Sequence, residues 1–303
     1  MTKILSPHGD KLTALIQNSK LPKSDIPRVK AAQEKYKEWI KKLKDTNGEK
    51  ASVLKEYVKA FDEYKRYVDL ELIFDSENDF LYRQKGQLKL DNTVIEEFLP
   101  LLVLKYFESE LNNMDLFLGP TTCISGIRFD SGLATKLPGG GIQLRQKDQD
   151  FAISRPLFLK ASHKSDFSDA VVKESKIAYI ASECKTNLDK TMFQEAAATA
   201  LDVKTAVPSA KYYLLCEWLD MTPISTSSTA IDEIIILRKA KRLSSNVRSE
   251  FNESSKRKEK RTLFKDFLTS NPFTESMFKR FLDHIEVVLK NDDESEVLKN
   301  GYF

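Results

Sequence analysis

Apolar side chains recur every three or four residues between Ser24 and Ile73. Val29, Ala32, Tyr36, Ile40 and Leu43 form one series, and Val53, Tyr57, Ala60, Phe61 and Tyr64 form a second beyond a break at Asn47 and Gly48. Such spacing predicts two antiparallel helices with charged outer faces. A further helix is signalled by LDNTVIEEFLPLLVLKYFESELNN, where Asp91 or Asn92 can cap, Glu96 and Glu97 suit the positive end of the dipole, and Pro100 should bend the axis near its start. After Gly119 and Pro120 the period changes to two. TTCISGIRF and GIQLRQKDQDFAIS, separated by Gly132 and the Gly139–Gly141 run, read as a hairpin or meander.

Residues 155–175 are polar and irregular, after which KIAYIASECK is apolar on both faces, the pattern of a central strand covered on two sides. Phe193, Ala196, Ala197, Ala200 and Leu201 then follow helical spacing, and KYYLLCEW and IDEIIIL add two strands. Helix, meander, central strand, helix and two strands make an α/β plan, a mixed central sheet flanked by helices. Three segments are expected: a helical N-terminal arm (1–78), a core (79–238) and a basic helical C-terminal region (239–303). The last ends in an amphipathic helix carrying Phe278, Phe281, Leu282, Ile285 and Leu289.

Composition narrows the functional classes. With 41% hydrophobic and 31% charged residues the chain suits a soluble globular fold, and 48 basic against 45 acidic side chains leave a formal charge of only +3. Attraction to a polyanion must therefore come from local clustering. No run of about 18 apolar residues occurs, and the first 17 residues lack the apolar stretch of a signal peptide, so secretion and membrane spanning are not expected. Cys123, Cys184 and Cys216 are too few and too scattered for a disulfide framework or a zinc knuckle, which suits a reducing cytoplasm. His8, His163 and His284 lack metal-ligand spacing. The triple glycine is not followed by GK[ST], so no nucleotide-binding loop is present.

The chemistry concentrates where the central strand ends. Residues two apart share a strand face, so Glu183 and Lys185 emerge together while Cys184 turns toward packing. Asp150 begins the alternating segment of the preceding strand, and strand pairing can set its carboxylate beside Glu183; Asp148 is the alternative. Two close carboxylates repel, and a hard divalent cation such as magnesium is the simplest way to hold both ionised. A metal-bound water, with Lys185 to orient it or help deprotonate it, is machinery for phosphodiester hydrolysis. An ordinary ion pair at a strand end is the bland reading of Glu183 and Lys185 alone.

Asp150 followed by Glu183-Cys184-Lys185 resembles the PD-(D/E)XK nuclease signature, with Gln149 where the proline would stand. GQLKLDNTVIEEFLP, KDQDFAI and ECKTNLDKTMFQEA together are similar to the two-subunit type II restriction endonucleases that cut asymmetric CCTNAGC and CCTCAGC sites, over roughly residues 80–220. The resemblance implies a restriction-endonuclease-like core acting on double-stranded DNA. It further implies magnesium held by Asp150 and Glu183, water activation by Lys185, one strand cut per subunit, and a second subunit, identical or distinct. It also implies a further glutamate from the preceding helix, Glu97 first and Glu96 next. Thr186, Asn187 and Lys190 can reach a phosphate, or Asn187 can cap the following helix. Lys256, Arg257, Lys258, Lys260 and Arg261 can grip DNA phosphates or form a solvated surface tract. The competing readings are a repair or nicking nuclease of the same superfamily and a non-catalytic DNA-binding protein.

Overall fold

The computed structural model describes residues 5–112, 114–290, 298, 299 and 301; residues 1–4 of the expected N-terminal arm and 291–297 of the expected C-terminal region lie outside these. Eleven α-helices are found among the described residues. Before the sheet come α1 (Pro7–Ile16), α2 (Ile26–Asp45), α3 (Lys50–Tyr67), α4 (Asp79–Leu88), α5 (Thr93–Tyr106) and the short α6 (Glu108–Leu111). The strands are β1 (Phe117–Phe129), β2 (Ile142–Ala161) and β3 (Val171–Leu188), then, past α7 (Lys190–Ala206), β4 (Lys211–Leu219) and β5 (Glu233–Ile236). The chain closes with α8 (Ser245–Ser249), α9 (Ser254–Glu259), α10 (Arg261–Ser270) and α11 (Glu275–Lys290).

The sheet runs β1-β2-β3-β4-β5, antiparallel across its first three strands and parallel across its last three, so β3 is central. Alternation along the strands sorts their side chains into two cores. One face presents Ala152, Ala178, Ala181, Leu214 and Cys216 to Ala196, Ala200 and Val203 of α7, small residues that let helix and sheet approach closely. The other presents Phe151, Ile153, Ile180, Cys184, Tyr213 and Leu215 to a layer that includes Phe98 of α5, Phe61 of α3, and Phe278 and Phe281 of α11. That second core runs unbroken from Leu12 to Ile285, so the helices at both ends of the sequence share it.

The expected helical hairpin is present as α2 and α3, with the break between them. The segment after Arg155 departs from expectation, because β2 continues to Ala161 and β3 already begins at Val171. Its polar composition reflects exposed faces, with Arg155, Phe158 and Lys160 all open to solvent. A register shift between Ile153 and Ser154 interrupts β2. The turn before β2 meets the far end of the β2–β3 hairpin: a Cβ added to Gly139 would lie 2.8 Å from Val171 Cβ and 2.9 Å from the Ala161 carbonyl oxygen. Gly139 also has φ +57°, so only glycine meets both demands at low cost. Pro100 stays inside an unbroken α5; it removes the amide that would bond the Glu96 carbonyl.

A buried ionic network ties β4 to the N-terminal and C-terminal helices. Lys65 of α3 donates to Asp69 at 2.6 Å and pairs with Glu217 of β4 at 2.9 Å. Arg238 reaches Glu217 at 2.8 Å and donates to the Asn271 carbonyl at 2.7 Å. Glu217 is 1% exposed and Lys65 likewise, so neither charge is tolerable without the other. Burial, opposed mainly by Lys65, pushes the Asp69 carboxyl up to about 6.

Candidate active site

Strand pairing brings the expected acids together. Phe151 lies opposite Ser182, and one further step of that antiparallel register sets Asp150 opposite Glu183. Asp150 Oδ2 accepts the Cys184 amide at 2.9 Å, a backbone tie to the neighbouring strand that fixes the carboxylate. Cys184 turns the other way into the core, as its place between Glu183 and Lys185 predicted. Lys185 Nζ contacts Glu183 Oε1 at 2.6 Å, and Tyr212 of β4 donates its hydroxyl to Glu183 Oε2 at 3.3 Å. Glu183 and Lys185 keep side-chain exposures of 20% and 26%, enough to meet a ligand at the surface.

The electrostatics follow from this packing. Burial raises the Asp150 carboxyl above its ordinary range; the Cys184 amide and then the Lys89 ammonium oppose the rise, and Glu183 adds to it. Burial also works against the charge on Lys185, but the hydrogen bond and charge of Glu183 outweigh it, so the amine sits above its usual value and is an ammonium here. Burial, reinforced by the Glu183 carboxylate, raises the Tyr212 phenol far above neutrality, so it serves as a donor.

Of the two adjacent glutamates of α5, Glu96 responds to the charge of Asp150, whereas Glu97 is engaged by α1. The Glu96 carboxyl is pushed up to about 7, first by burial and then by the charge of Asp150, while Lys89 and a 2.6 Å bond from Asn92 hold it down. Glu97 instead accepts the amides of His8 at 2.9 Å and Gly9 at 3.2 Å and the Tyr36 hydroxyl at 2.5 Å. Its carboxylate holds the first turn of α1 onto α5, the arrangement a helix N-terminus favours. The expectation of Glu97 as the added catalytic acid is therefore corrected: about 100° of helix rotation separates neighbouring residues, and it turns Glu97 into the α1 contact. His8 completes that contact through Thr93 at 3.1 Å and Tyr64 at 2.8 Å, and burial, then Lys65, drop its pKa to about 3, so it is a neutral core histidine.

The remaining expectations divide. Asp148 is exposed and accepts the Thr122 hydroxyl at 2.6 Å, leaving Asp150 as the acid beside Glu183. Asn187 is buried with its amide on Met192 Sδ at 3.5 Å, and Asp189, not Asn187, caps α7 by accepting the Met192 amide at 2.9 Å. Lys190 is exposed at the start of α7. Arg257 is 1% exposed and donates to the carbonyls of Phe74, Phe251, Ser76 and Asn78, so it is an internal brace and not a phosphate contact. Around it Lys256 pairs with Glu259, Lys260 with Glu250 and Arg261 with Asp75, while Lys258 stays exposed. Sequence reading missed Tyr212 and Lys89. Tyr212 stands in an apolar strand where an aromatic reads as core, and Lys89 ends α4, a segment whose pattern announces no element.

A mixed sheet with an acid on one strand and a Glu-x-Lys on the next, central strand is the arrangement that the sequence resemblance implies. A family model described as Bpu10I restriction endonuclease matches residues 87–303, more than half of the sequence. The chain belongs to the Bpu10I restriction endonuclease family, and it is a type II restriction endonuclease subunit, a site-specific deoxyribonuclease. Among solved structures it is similar to a chain of the native BbvCI A2B2 tetramer, at 18% identity and a TM-score of 0.54, covering 88% of this chain and 98% of that one. At that identity the likeness carries the fold. No curated protein matches the sequence.

Proposed function

We propose that this subunit hydrolyses phosphodiester bonds in double-stranded DNA with magnesium, through Asp150, Glu183 and Lys185 assisted by Glu96, one strand per subunit. The observation that carries this reading is the Asp150–Glu183 juxtaposition across β2 and β3, with Lys185 in contact with Glu183. The donor set fits the ion. Among the described residues no three acidic, histidine or cysteine side chains form a ready-made metal cage, and a pair of hard carboxylate oxygens suits a cation that keeps several waters. Magnesium bound there supplies a more acidic water and neutralises charge developing on the phosphoryl oxygens.

The protein's own groups do the rest. The Cys184 amide holds Asp150 in place, so its carboxylate needs no reorganisation when a phosphate arrives. Tyr212 and Lys185 hold Glu183 from two sides. The Lys185 ammonium is placed to donate to the attacking water or to a phosphate oxygen. Glu96, titrating near neutrality, can hold or release a proton beside Asp150.

Glu183→Ala or Lys185→Ala should lower magnesium-dependent plasmid cleavage by roughly 10³-fold or more while DNA binding persists, because both act at the reacting phosphate. Cleavage at wild-type rate by either variant overturns the assignment. Nicks mapped to one recurrent sequence on a random plasmid distinguish restriction from structure-directed nicking. A second subunit accords with the single set of catalytic residues in this chain.

A further inference from the structure

The basic run expected to grip DNA is largely neutralised, yet positive charge is left over elsewhere. Lys85, half-buried on α4, lies with its ammonium 4.0 Å from the centre of the Tyr82 ring, and among the described residues no acceptor takes its protons. Across a groove, Arg242 and Arg248 share one carboxylate, that of Asp220, at 3.0 and 3.1 Å. Two guanidinium groups on one acid leave that side one positive charge in surplus, and the Lys85 ammonium opposite shares its cavity with Asp69 and Asp91 but has no hydrogen-bonded acid of its own among the described residues. Tyr82, Lys85, Arg242 and Arg248 all line this groove, and they also line an adjoining cavity walled by Thr186 and Asn187, the two residues after Lys185. The groove therefore opens at the carboxyl end of the catalytic strand.

One helical turn beyond Lys85, Lys89 continues the line toward the carboxylates. It is exposed and left-handed, with φ +51° and ψ +34°, at the end of α4, a position where a side chain is strained and glycine is favoured. Strain kept at a functional edge points to use of the side chain. The Lys89 carbonyl accepts the Thr93 amide at 3.3 Å and the Thr93 hydroxyl at 2.6 Å, which seats Lys89 at the head of α5, the helix that carries Glu96.

We infer that α4 and the 242–248 segment form the track for the DNA backbone, Lys89 meeting the phosphate at the cleavage site and Lys85 with Arg242 and Arg248 a flanking one. This rests on the nuclease reading above and adds where the strand runs. Cations along a groove release counterions when they meet phosphates, so removing any one of them makes binding less sensitive to salt.

The test measures binding of the full chain to a short duplex by fluorescence anisotropy, without divalent cation, over a series of salt concentrations. Lys89→Gly, Lys85→Met and Arg248→Ala are each expected to weaken binding and to reduce the slope of log K against log salt by about one. Lys41→Ala on α2 should leave it unchanged. Lys89→Gly relieves the backbone strain while removing the charge, so a purely structural lysine would give an equally or more stable protein with unaltered binding. A wild-type chain that cuts DNA while Lys89→Gly and Lys85→Met keep the wild-type slope overturns the track alone. A wild-type chain that neither binds nor cuts DNA removes the nuclease reading and this one with it.

Discussion

Glu96 and Glu97 are chemically identical neighbours with opposite fates, one beside Asp150 and the other holding α1. Sequence could place both in the first turns of a helix before the sheet; it could not say which faced the acid, because that depends on how α1, far away in sequence, packs on α5. Asp150, Glu183 and Lys185 were legible because strand alternation and one antiparallel register suffice to unite them. Glu96→Gln gives a test with two opposed signs. A carboxyl raised to about 7 in the fold keeps a proton that the unfolded chain, at its ordinary value near 4.5, releases. Its share of stability thus falls as pH rises between these values, by up to about 3 kcal/mol, and Glu96→Gln should make the decline between pH 5 and 8 in urea unfolding shallower, the share of Asp69 and Asp150 remaining. The same substitution should slow cleavage roughly 10²-fold and flatten its rise between pH 6 and 8, since the substitution takes away the ionised form. Glu97→Gln should leave the pH dependence of cleavage in place.

At the scale of elements, α2, α3, α5, α7 and all five strands announced themselves through period and punctuation, and the extra length of β2 and β3 did not. Exposed strands beyond the core lose the apolar alternation that marks a half-buried strand, so Arg155–Ala161 reads as loop. Helix α1 escaped notice because only His8, Leu12 and Leu15 of it are buried, too short a series to register as periodic. The basic run misled for another reason: a linear cluster says nothing about where each side chain turns, and α9 buries Arg257 against the segment Phe74–Asp79. Arg257→Ala should accordingly cost roughly 3–5 kcal/mol of stability, measured by chemical unfolding, by leaving the four carbonyls without their donor and a cavity in place of the side chain. A loss confined to DNA affinity, with stability intact, contradicts the brace.

For the whole molecule, what decides the outcome is that the described residues bring together one proposed catalytic constellation. A single set of such groups opens one strand, so a monomer of the chain should convert supercoiled plasmid to nicked circles, and linear product should appear only with a second active subunit, identical or distinct. Linear product formed at a rate independent of protein concentration, from a chain that stays monomeric, contradicts this.

The Lys65–Glu217–Arg238 network also bears on how this protein can be altered. Residues 79–238 hold the carboxylates and the lysine that the chemistry uses, yet their fourth strand carries an acid whose ammonium partner lies outside them. A fragment trimmed to that segment would carry Glu217 inward with half its neutralising charge gone, in surroundings where an uncompensated ion is among the costliest defects. Helix α3 thus acts as an electrical keystone for a nuclease it does not chemically assist. Grafting this catalytic segment onto another scaffold would require replacing Glu217 and Arg238 with apolar residues first.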